Sequence, residues 1–157
     1  MNSIFQWNGK MESPKSLRLG HDEARAEFVR ATTEGGPIGV ASKRLAQMCL
    51  PHFEREEKYV FPVLGLLPEL TRGVVRPEMA EVLPLISAFS AKHDVLDNQH
   101  QSIQSAIDAL LQASHREKNR EVAEFAYNMR VHERIEDEVI YPTVILIGNY
   151  LRDKLAH

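Results

Sequence analysis

The feature that most restricts this chain is an internal repeat of one helical signature. At a spacing of 80 residues His52-Phe-Glu-Arg-Glu56-Glu57 aligns with His132-Glu-Arg-Ile-Glu136-Asp137, and Phe61-Pro62 then falls on Tyr141-Pro142. Each copy reads His-x3-Glu-acid, then an aromatic residue and proline. At a spacing of 72 residues His21-Asp22 aligns with His93-Asp94, so each half carries a lone histidine followed by a His-x3-Glu pair. A duplicated helical hairpin is the simplest reading.

On an α-helix four residues rise about 6 Å and turn about 40° past a full revolution, which puts His52 and Glu56 on one face and His132 and Glu136 on another. If antiparallel helices turn those faces toward His21 and His93, the interior receives four imidazoles and two carboxylates. A metal is the natural partner of that set. Imidazole with carboxylate suits iron, manganese or zinc, and the absence of thiolate argues against copper(I) and zinc fingers. A single His-x3-Glu is weak evidence, because such pairs are commonly solvated surface contacts. Two copies with the same aromatic-proline ending are not explained that way.

Apolar residues recur at helical spacing through most of the chain and strand alternation is nearly absent, which predicts an all-α fold. Residues 1–16 lack periodicity and read as an N-terminal arm, with Phe5 and Trp7 to pin it down. Residues 17–157 then form the domain. Helices are expected over about 17–33, ending at Gly35-Gly36-Pro37, over 38–64, over 78–114 and over 117–141. Pro51 is expected to bend the second helix just before His52. The Pro- and Gly-rich stretch 65–77 reads as a loop, and Pro142 as a break before a short apolar C-terminal helix over 143–155 that caps one end.

At 157 residues the chain is sized for a single domain. Nineteen basic against 22 acidic residues, net charge -3, leave no stripe for nucleic acid. The lone Cys49 excludes a disulfide framework and suits a reducing cytoplasm. No segment has signal-peptide character or reaches the roughly 20 apolar residues of a membrane span, so neither secretion nor a membrane is expected.

From His21 to Pro142 the chain resembles the hemerythrin-like (HHE cation-binding) family, whose motif is His, His-x3-Glu, His, His-x3-Glu. The resemblance implies an up-down-up-down four-helix bundle around two non-haem iron ions. It implies that His21 and His52 hold one iron, that His93 and His132 hold the other, and that Glu56 and Glu136 bridge them. The chain departs from oxygen-carrying hemerythrins, which present two histidines four residues apart on the third helix, because Asp97 stands four residues after His93. His100 lies two turns on and is expected to line the pocket rather than to ligate, and Asp97 to be solvated or nearby. Glu57 and Asp137 point about 100° from the bridging glutamates and are expected to be surface or interhelical charges. Asp22 and Asp94 are candidates to orient an imidazole. Phe28, Phe53, Phe61, Phe89, Phe125 and Tyr141 are expected chiefly in the core. Two functions follow: a di-iron protein that binds dioxygen or nitric oxide, and a di-iron enzyme or iron donor.

Overall fold

A computed structural model describes residues 11–156, except for the side chains of residues 93, 94, 96 and 97. The expected contacts of Phe5 and Trp7 lie outside the described residues. Among the described residues the chain is all helical, with no strand. Six helices have nine residues or more: α1 (Lys15–Thr33), α2 (Gly36–Tyr59), α5 (Leu83–Ala91), α6 (His93–Arg116), α7 (Arg120–Ile135) and α8 (Tyr141–Leu155). Between them lie two single-turn helices, α3 (Phe61–Leu64) and α4 (Leu67–Leu70), a 3-10 turn at Pro77–Val82 and a π turn at Glu136–Ile140.

This is more helical segments than the sequence led us to expect, for local reasons. The third long helix is split where Lys92 leaves helical geometry with φ -104° and ψ 11°. The 65–77 stretch winds into α4 and turns, because Pro68 sits in the first turn of a helix, where a missing N–H breaks nothing. Pro142 likewise occupies the first turn of α8. There is therefore no break before the C-terminal residues: α7 passes through the π turn straight into α8, and the expected short tail is a 15-residue helix.

Gly35 and Gly36 turn α1 into α2 with φ of 76° and 54°, in the left-handed region open to glycine. The α1 helix packs on α2, α2 on α6, α6 on α7, and α7 back on α1. A first apolar cluster fills the space among these four, with Phe28, Leu45, Phe53, Ile107, Leu110, Phe125 and Met129 at its centre. A second cluster, including Phe61, Leu66, Met79, Ile86, Val144 and Leu151, joins α3, the 3-10 turn, α5 and α8 at one end. Met11 packs on this second cluster, and the backbone of Glu12 runs so close to Gly65 that a Cβ there would collide with the Glu12 carbonyl oxygen.

Candidate metal centre

The polar residues that matter lie between the two apolar clusters. Cys49 of α2 belongs to the first and Val60, just past α2, to the second; Met129 of α7 belongs to the first and Ile140, at the end of the π turn, to the second. His52, Glu56, Glu133 and Glu136 fall between these limits, and all four are buried together with His21 and His100. Burying three carboxylates against imidazoles without counter-charge is costly, by several kcal/mol for each ionised group.

Two groups of four donors result: His21, Glu56, His132 and Glu136, and His52, Glu56, His100 and Glu136. Both carboxylates belong to both groups. In the first, His21 Nε2 lies 3.2 Å from Glu56 Oε2, and His132 Nε2 lies 2.5 Å from Glu136 Oε1. All four of these buried atoms lack a hydrogen-bond partner. In the second, His52 Nε2 lies 3.0 Å from His100 Nε2 and 3.3 Å from both Glu56 Oε1 and Glu136 Oε2. Donors bonded at about 2.1 Å to one ion stand about 3.0–3.4 Å apart, so most of these separations are edges of a coordination shell. The residues fit a metal: nitrogen and oxygen donors, buried, converging and in the first group unsatisfied.

The outer nitrogens are held in a repeating pattern. His21 donates from Nδ1 to Glu57 Oε1 at 3.0 Å, and His100 donates from Nδ1 to Asp137 Oδ1 at 2.6 Å. A carboxylate can only accept, so each ring carries its proton on Nδ1 and turns the Nε2 lone pair toward the centre. Arg25 Nη2 holds Glu57 in place at 2.8 Å. Glu57 and Asp137 are therefore the residues that orient the imidazoles, not Asp22, which pairs with Arg25 at the surface. The repeat carried this signal, since both copies place an acid directly after the glutamate. His100 stands to Glu136 and Asp137 as His21 stands to Glu56 and Glu57.

Measured against protein-family models, curated proteins and solved structures, the chain finds no match.

Of the six residues expected from sequence, the structure brings together His21, His52, Glu56, His132 and Glu136. The side chain of His93 lies outside the described residues, as do those of Asp94 and Asp97. His100, expected to line the pocket rather than to ligate, stands among the four residues of the second group, with its Nδ1 on Asp137. The partition differs too: His21 shares a group with His132, and His52 with His100. Two further residues were missed. Glu133 is fully buried, with Oε2 3.3 Å from His100 Nε2 and neither oxygen hydrogen-bonded. Tyr141, assigned to the core, reaches Glu56 Oε1 with its hydroxyl at 2.5 Å and lies 3.3 Å from His52 Nε2 and 3.2 Å from His100 Nε2.

The π turn explains Tyr141. Residues five apart on an α-helix are turned about 140° from each other, whereas the i→i+5 ring of a π turn brings them about one revolution apart. Tyr141 thereby comes within 3.5 Å of Glu136, five residues before it.

The electrostatics follow from burial and proximity. Burial disfavours the charged form of His52, but the carboxylates of Glu136 and Glu56 outweigh it and raise its pKa to about 10. Burial likewise opposes ionisation of Glu56, yet the imidazoles of His21 and His52 hold it well below the usual range. Burial raises Glu133 and Glu136, each also repelled by a neighbouring carboxylate. Burial and the adjacent His52 lower His100, leaving a lone pair available. Burial raises the Tyr141 phenol and the Cys49 thiol, which both keep their protons. His132 alone among the donors keeps a quarter of its side chain exposed, at a cleft of about 580 Å³ between α1 and α7.

Proposed function

We propose that this chain is a non-haem di-iron protein, a hemerythrin-like four-helix bundle that binds dioxygen or nitric oxide for sensing, storage or carriage in the cytoplasm. One observation carries the reading: two four-donor groups, buried except for His132, share both of their carboxylates, so that Glu56 and Glu136 would serve two adjacent ions together. His21 and His132 would hold one ion, His52 and His100 the other. Ferrous ions in such a site supply coordination positions and electrons to a diatomic ligand. The protein's part is to fix the imidazole tautomers through Glu57 and Asp137 and to keep bulk water out with the apolar clusters on either side.

A second reading, a di-iron enzyme or iron donor, draws on the Tyr141 hydroxyl, which is buried beside both imidazoles of one group and could orient a bound ligand by a hydrogen bond. Anaerobic loading with ferrous ion, iron analysis and optical titration with dioxygen and then nitric oxide test both. Two irons per chain and a band that appears and reverses with ligand pressure are expected for binding. Continuous ligand consumption favours the enzyme, and one iron or fewer per chain refutes the di-iron site.

A further inference from the structure

The candidate centre is nearly two-fold symmetric. His21 corresponds to His100, His132 to His52 and Glu56 to Glu136, with Glu57 and Asp137 bonded alike to the outer imidazoles. Against this symmetry, the departures stand out. The 80-residue repeat pairs Glu133 with Phe53, and the two do unlike things. Phe53 stacks flat on His21, ring centroids 4.1 Å apart, and closes that side with carbon. Glu133 puts a carboxylate in the corresponding place, 3.3 Å from His100 Nε2 and 4.0 Å from His52 Nε2.

Among the described residues no hydrogen bond satisfies that carboxylate. Its side chain is fully buried, neither oxygen has a hydrogen-bond partner, and no lysine or arginine pairs with it among the described residues. A buried acid so placed costs stability unless a cation answers it. Its distances to the two imidazole nitrogens fall within those of donors sharing one ion, about 3.0 Å for neighbours and about 4.2 Å for opposite positions at bonds of about 2.1 Å.

We infer that Glu133 is a further metal ligand, a third carboxylate that binds only the ion held by His52 and His100, so that the two ions of the centre are unequal. This rests on the two-ion reading above and extends it. The His52–His100 ion has two imidazoles and three carboxylates around it, whereas the His21–His132 ion has two and two, with Phe53 where the third would be. A metal pair bridged by two carboxylates carries a surplus positive charge, and Glu133 lowers it at one ion only.

The test is anaerobic ferrous-ion titration of the full chain by calorimetry, with iron counted after gel filtration, for the wild type, Glu133→Gln, His100→Ala, His132→Ala and the Glu133→Gln combinations with each histidine variant. Expected are two ions in the wild type, one unchanged ion in Glu133→Gln, and an affinity for the other lower by about 100-fold. Adding Glu133→Gln to His100→Ala should lose nothing more, while adding it to His132→Ala should leave no tight ion. Metal-free Glu133→Gln should melt at or above metal-free wild type, because an unpaired buried acid is removed.

Two ions at wild-type affinity in Glu133→Gln overturn the inference and leave the di-iron reading standing. A further loss in the His100→Ala background also overturns it, because Glu133 would then serve the other ion. A metal-free Glu133→Gln that melts far below wild type, or fails to fold, makes Glu133 a structural residue and overturns it as well. A wild type binding fewer than two ions overturns the site reading, and this inference with it.

Discussion

His21 and His100 show how a side chain's role is set by its neighbours rather than by its place in a motif. Each is buried, donates from Nδ1 to the acid that follows Glu56 or Glu136, and turns Nε2 inward. Direct alignment pairs His100 with Phe28, a core residue packed edge-on against Phe125. The structural counterpart of His21 thus lies at about the 80-residue spacing of the His-x3-Glu copies, not at the 72-residue spacing that aligned it with His93. We predict that His100→Ala lowers bound iron from two per chain to one, as His21→Ala does. Elemental analysis of the loaded, desalted variants decides this; two irons retained in His100→Ala would return it to the pocket wall.

At the scale of elements, the connections hold the donors in register. The α6–α7 turn sets His100 opposite Glu133 and Glu136, and Lys118 makes it by adopting φ of 54°, in the left-handed region that costs an L residue about 1–2 kcal/mol. Asn119 caps the next helix by accepting from the Val122 N–H at 3.1 Å. The α1–α2 turn uses Gly35 at φ 76° and ψ -176°, which only glycine adopts without strain. Opposite effects are expected at these two turns. Lys118→Gly should stabilise the protein by about 0.5–1 kcal/mol, and Gly35→Ala should destabilise it by about 1–3 kcal/mol. Urea denaturation of the metal-free chains measures both; equal midpoints would mean the turns relax at no cost.

For the whole molecule, the proposed metal binding would be coupled to folding. Glu133 and Glu136, whose ionisation burial disfavours, oppose folding without an ion, and an ion that binds only the folded chain would add its binding energy to stability. Free ferrous ion at 100 times its dissociation constant should add about 2.7 kcal/mol, raising Tm by roughly 5–10 °C for a chain of this size. The pH dependence has a definite sign. In the metal-free protein His52 holds its proton up to a pKa of about 10, so its stabilising effect is complete below the unfolded value near 6.5 and is lost as pH rises through 10. Glu133 and Glu136, with raised pKa values, likewise destabilise the metal-free fold as they ionise on alkalinisation. A metal replaces those protons. Loading at pH 7 should therefore release protons into weakly buffered solution, and the melting difference between loaded and metal-free protein should widen with pH. Calorimetry in buffers of different ionisation enthalpy reads the proton count; none released would contradict a protonated His52.

No helix among the described residues is long and apolar enough to cross a membrane, in keeping with the hydropathy of the sequence. The sequence alone determined the all-helical class, because helical periodicity is a local property of apolar spacing. It also determined that His52 with Glu56, and His132 with Glu136, project together, since four residues are about one helical turn. Only the tertiary structure decided what meets those pairs. The break at Lys92 and the π turn at 136–140 are backbone choices enforced by packing, and they control the rotation of every side chain beyond them. His100, Tyr141 and Glu133 enter the site through such rotations, and through the approach of α6 to α7, which no spacing within one helix encodes. Glu133 sits one residue from His132 and would point about 100° away on an isolated helix; its place in the centre exists because a second histidine pair stands on that side.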